Sequence, residues 1–231
     1  MTPADEWDVG TDLSRLCELL AFGDGRHTHP AVRLFLAAMG RDLWPLLVDD
    51  RSRRAVEATE QHLTGRLDHS TWARVVRAAD AVAGVGDPVL PGHYAAGVAR
   101  LPGAPDAPWF SRLPVVALDT AAEAIRRSPQ VPVACRYLRP LDGAGELLCG
   151  RLRCLLANPF RPAPAFDPGW RTPTVTALAA AALADRDHSH LPVLADALED
   201  AGCDAAELLS HARSPGPHVF GCRAVTACLG S

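Results

Sequence analysis

Proline partitions this chain. Nine of its 20 prolines fall between Val85 and Gly145, and five more lie in the sixteen residues from Asn158 to Pro173. Proline removes a backbone donor and breaks helix interiors and central strands, so long regular elements are confined to the segments on either side. There leucine, valine and alanine recur at three and four positions, the spacing of a helix with one buried face. The pattern predicts an all-α fold, a helical bundle of short antiparallel helices. An N-terminal helical region spans 1–84 and a Pro/Gly-rich, partly irregular insertion spans 85–145. A C-terminal helical region, 146–231, packs on the first as one domain.

In the first region Thr11 and Asp12 cap a segment through Leu13, Leu16, Cys17, Leu19 and Leu20. A longer one begins after Thr28 and carries Val32, Phe35, Leu36, Met39, Leu43, Leu46 and Leu47. Pro30 fits its first turn, whereas Pro45 should kink or divide it. Asp49 or Asp50 starts a third helix ending at Gly65, and Ser70 starts a fourth ending at Gly84. In the insertion only Asp119–Arg127 reads as helix. Beyond it, helices are predicted over Glu146–Ala157, from Thr172 to Ala184, from Ser189 to Gly202, from Asp204 to Ala212 and from Cys222 to Leu229. The stretch from Asn158 to Pro173 carries Phe160, Phe166 and Trp170 on an extended, stiff backbone that loses little entropy when its rings are pinned.

The composition excludes several classes of activity. Of 231 residues 48% are hydrophobic and 22% charged, which suits a globular chain. All 23 cationic side chains are Arg; the missing Lys removes the phosphate-loop lysine, the Schiff-base lysine and the serine–lysine dyad. A net charge of −4 offers no basic field for nucleic acid or anionic lipid. The acidic start, Met1 to Asp8, does not resemble a secretory signal, and the alanine-rich run Thr174–Ala184 is too short to span a bilayer. Seven cysteines, an odd number, read as reduced thiols, so the expected compartment is the cytoplasm.

Two segments carry a family resemblance. One runs from Val32-Arg33-Leu34-Phe35 through Asp50-Arg51-Ser52-Arg53-Arg54-Ala55-Val56-Glu57. The other is the tail Asn158-Pro159-Phe160-Arg161-Pro162, Phe166-Asp167-Pro168-Gly169-Trp170-Arg171-Thr172, Leu194 to Cys203, Gly216-Pro217-His218-Val219 and Gly221-Cys222. Together, over about half the chain, they resemble a large paralogous family of uncharacterised planctomycetal proteins with a variable alanine-rich middle. The resemblance implies a helical protein and no activity. The family's cysteines after the N-terminal Leu-Phe are replaced here by Leu36-Ala37-Ala38-Met39.

The constellation closest to a metal site is Cys203-x7-His211-x6-His218-x3-Cys222. Two thiolates and two imidazoles suit tetrahedral zinc, and they bracket a Pro-Gly-Pro turn. The spacing matches no standard zinc finger, and each residue also has an ordinary account: Cys203 and Cys222 as small apolar residues, His211 at a helix C-terminus. Cys149 and Cys154, five apart on one helix, read as buried packing. His188 with Asp185 and Asp187 could hold a divalent ion if the loop folds back, but His27 and His29, and His188 and His190, are favoured as solvated loop residues at helix entries. Arg51, Arg53 and Arg54 form the one cationic cluster. It could grip a phosphate, but Glu57, Asp49 and Asp50 favour ion pairing on a wet face. Asp196, Glu199 and Asp200 fall opposite Leu191, Leu194 and Leu198, as a solvated helix surface would.

The favoured reading is a non-catalytic helical scaffold or adaptor. It would bind another protein or itself, with Arg51, Arg53, Arg54, Phe160 and Trp170 as interaction residues and no nucleic acid, membrane or cofactor. The alternative is a zinc-stabilised or zinc-dependent protein using Cys203, His211, His218 and Cys222. A third class is an enzyme whose site is assembled from distant residues such as His93, Tyr94 and Asp119, which leaves no linear signature.

Overall fold

The computed structural model describes residues 1–12, 15–16, 19, 30–42, 44, 47, 49–83, 144–162 and 165–230. Among these the protein is all-α, with no strand. Residues 85–143 of the 85–145 insertion, the pair His27 and His29, and His93, Tyr94 and Asp119 lie outside the described residues. No helix among the described residues is long and apolar enough to cross a membrane. The chain divides into two compact units: Met1–Asp8 with Gly150–Ser231, and Val9–Cys149.

The Val9–Cys149 unit is built on α2 (Pro30–Asp42), α3 (Asp50–Leu63) and α4 (His69–Ala83). α2 ends at Asp42, ahead of Pro45, and Leu47 lies outside it. The Asp49 side chain accepts from Arg51 N at 2.8 Å and caps α3. Asp68, rather than Ser70, starts α4: its carboxylate accepts from Thr71 N at 3.0 Å, and its carbonyl from Trp72 N at 3.1 Å. α3 packs on both neighbours. Ala55, Ala58, Trp72, Val76 and Ala79 form the α3–α4 seam, where Trp72 Nε1 donates to Thr59 Oγ1 at 3.1 Å. At the α2–α3 contact a Cβ on Gly40 would lie 2.7 Å from Val56, so glycine sets how closely the helices approach. Beside it the Arg41 guanidinium donates to both oxygens of the buried Glu60 at 3.2 and 2.7 Å and lies 4.2 Å over the Trp44 ring.

The other unit begins with α1 (Pro3–Val9). Thr2 and Asp5 cap it reciprocally, Thr2 N to Asp5 at 3.1 Å and Asp5 N to Thr2 at 3.2 Å, with Pro3 at the first helical position. Trp7 is buried, Arg153 Nε donates to Trp7 O at 2.6 Å, and Asn158 Nδ2 donates to Ala4 O and Asp8 Oδ1, both at 2.9 Å. Arg153 lies on α5 (Ala144–Leu155), whose residues from Gly150 on belong to this unit. The unit continues through α6 (Pro173–Asp185), α7 (Leu191–Asp200), α8 (Ala206–Arg213) and α9 (Arg223–Leu229). Thr172 caps α6, accepting from Val175 N. α7 closes with Gly202 N to Glu199 O at 2.8 Å and Cys203 N to Leu198 O at 2.9 Å, around a left-handed Gly202 at φ 85°. α6 packs on α7 and α9, α7 on α8, and α8 on α9. Leu191, Leu194, Ala195 and Leu198 on α7 are fully buried against them.

Candidate metal centre

Three separate stretches of the second-described unit converge on one spot. The first is the last turn of α5. Gly150 and Cys154 are four apart and share a face. A Cβ on Gly150 would lie 2.8 Å from the Pro217 ring, so glycine lets the 214–218 turn come against α5, and the turn brings His218 to Cys154. The second stretch is the end of α8, where His211 lies three residues after the buried Leu208 and so faces inward. The chain leaves α8 through an extended Ser214 and a left-handed Gly216 at φ 99°, where a Cβ would come within 2.9 Å of His218 N. The third is Cys222, fully buried, placed by a left-handed Gly221 and by its N–H donating to Val219 O at 2.9 Å.

The donor atoms of Cys154, His211, His218 and Cys222 all lie within 4.8 Å of one another. His218 Nδ1 is 3.8 Å from Cys154 Sγ and 3.9 Å from Cys222 Sγ, and His211 Nε2 is 3.3 Å from Cys222 Sγ. Zinc bonds of about 2.3 Å to sulfur and about 2.0 Å to nitrogen imply sulfur–nitrogen edges of about 3.5 Å in a tetrahedron. The observed separations bracket that length.

The protons agree. His218 Nε2 lies 3.0 Å from Ser214 O, and a carbonyl can only accept, so Nε2 carries the hydrogen and Nδ1 keeps its lone pair toward the sulfurs. Ser214 is held in turn by its Oγ donating to His211 O at 2.8 Å. The hydrogen bond from Cys154, backed by the two imidazoles, holds Cys222 well below the usual thiol range despite its burial. That same bond, and then burial, pushes Cys154 far up. A divalent cation bound between the two sulfurs would displace their thiol protons. Burial opposes charge on His218, but its bonds to Cys222 and to the Ser214 carbonyl outweigh this and raise its pKa. The set has soft sulfur and borderline nitrogen donors, two of them in fully buried residues, which fits zinc.

Three of the four residues expected from the spacing therefore meet, and the fourth position belongs to Cys154 rather than Cys203. Cys203 lies just before α8 and His211 in its last turn. Most of α8 separates the two, and Cys203 is not one of the four mutually close donors. Cys203 is buried instead where its thiol acts on Cys228, which burial pushes up to about 12. Cys154 stands 64 positions before His218, beyond the reach of any local pattern. The available signal was Gly150-x3-Cys154, a glycine and a thiol on one helix face.

The remaining candidates sit apart from the centre, with one exception. His188 is half-buried, its ring 6.2 Å from that of His218, whereas His190 and Asp187 are exposed. Arg51 is tied to Asp49 at 2.8 Å and Arg53 lies 3.8 Å from Asp50; Arg54 is exposed. Glu57 reaches Arg41 at 3.8 Å instead of pairing along its own helix. Asp196 and Glu199 are exposed and both bind Arg213, as a solvated surface does. Phe160 is exposed, and Trp170 meets Phe166 edge to face at 5.3 Å. Comparison with family models, curated proteins and solved structures finds no match to this chain.

Proposed function

We propose that the unit formed by residues 1–8 and 150–231 is a zinc-stabilised helical module whose metal is structural. The observation that carries this reading is the near-tetrahedral spacing of Cys154, His211, His218 and Cys222, with the His218 tautomer fixed by Ser214. Four protein donors complete a tetrahedron and leave no open position for water or substrate, which marks structural rather than catalytic zinc. The donors come from α5, the end of α8, the following turn and the cap of α9. One ion would therefore cross-link segments that are far apart in sequence. A non-catalytic scaffold is the role this suits: a fixed arrangement of short helices offered to a protein partner.

Cobalt titration of the metal-free full-length protein tests the reading. A tetrahedral bis-thiolate cobalt spectrum, bleached by one equivalent of zinc, is the expected result. A spectrum without sulfur-to-metal charge transfer, or one unchanged in Cys222→Ser, contradicts it.

A further inference from the structure

From Ala184 to His190 every residue is exposed except His188. The chain is turned there by Arg186, a non-glycine residue held left-handed at φ 56°, a conformation kept only where surroundings compel it. Its guanidinium lies 4.6 Å over the Phe220 ring. On the other side Asp187 Oδ1 accepts from Ser189 N at 2.9 Å and fixes the turn. Between these anchors the His188 ring is laid on His218, centroids 6.2 Å apart and planes inclined by 30°. His188 is not among the four mutually close donors. It lies as a layer between an exposed turn and one of them.

We propose that His188 is the gate of the metal centre: its ring covers His218 and sets how fast a divalent zinc-like ion enters and leaves, without serving as a ligand. The proposal rests on the metal reading of the four donors. A closed tetrahedral site exchanges its ion only when an incoming ligand or chelator reaches it, and zinc can expand to five-coordination to permit this. A ring over His218 obstructs that approach equally in both directions. It therefore alters rates and leaves affinity nearly untouched.

The test is stopped-flow zinc binding and EDTA-driven zinc release in full-length wild type, His188→Ala and His188→Phe, with Kd measured on the same samples. In His188→Ala both rates should rise about tenfold, the scale of one lost ring contact, with Kd unchanged within about threefold. His188→Phe should keep rates near wild type, because it restores the cover without the nitrogen. Unchanged rates in His188→Ala overturn the gate. So does a weakened Kd at constant association rate, which signals a ligand or a structural prop, and so do slowed rates, which signal a transient fifth ligand. His188→Phe exchanging as fast as His188→Ala overturns ring cover. Wild type that binds no zinc is a different failure, since it ends the reading of the four donors themselves.

Discussion

The two units hold themselves together by different means. In the Val9–Cys149 unit, α2, α3 and α4 are 13, 14 and 15 residues long. Each can lay a full apolar stripe on its neighbour, and a bidentate Arg41–Glu60 pair with the Trp44 and Trp72 rings locks the contacts. In the other unit α1, α8 and α9 have only 7, 8 and 7 residues. Helices this short are marginal on their own and gain their order from what they pack against. The four candidate donors lie at the end of α5 and at the ends and turn joining the short α8 and α9. Long helices can be specified by side-chain packing, whereas short ones benefit from a cross-link that acts on several segments at once.

Chelation should expose this contrast most visibly. With zinc removed, amide exchange should accelerate across 173–229, a loss on the order of several kcal/mol, while residues 50–83 keep their protection. Equal loss in both units would show that the centre does not discriminate between them. The converse is Glu60→Ala, which strips the Arg41 guanidinium of its buried partner. It should cost about 2–3 kcal/mol, read by denaturant unfolding, and leave zinc content unchanged. Gly216→Ala places a Cβ against His218 N at a left-handed position, so it should cost about 1–3 kcal/mol and weaken zinc binding. Normal affinity in that variant would mean the turn does not set His218.

The smallest effect concerns Asp49. The hydrogen bonds from Arg51 hold its carboxyl at about 2, below the unfolded value of about 3.9. A depressed carboxyl stabilises the fold above the unfolded pKa and loses that contribution as pH falls through the folded one. The start of α3 should therefore loosen between about pH 4 and about pH 2, seen as exchange at residues 50–53. Asp49→Asn should flatten that dependence.

The helices were largely legible because leucine and alanine spacing is a local property. Boundaries differ where two capping residues compete, as with Asp68 over Ser70, and α1 falls outside the predicted helices although Thr2-Pro3-Ala4-Asp5 is a helix-start signal. Its attachment through Trp7 and Arg153 spans 146 positions, and nothing local announces such a contact. The centre was legible to the same limit. His211, His218 and Cys222 are close in sequence and were found from spacing alone. Cys154 reads as packing because a buried thiol on an apolar helix face looks the same whether or not imidazoles lie opposite. Cys203 was drawn in by proximity along the chain, which a helix converts into distance.

The most direct trial of the four-donor centre is zinc content, measured by elemental analysis, of full-length wild type, Cys154→Ser and Cys203→Ser purified after zinc-supplemented expression. The account predicts about one zinc per chain in wild type and in Cys203→Ser, and a large loss in Cys154→Ser. Zinc retained by Cys154→Ser and lost by Cys203→Ser, or no zinc in any of the three, would contradict it.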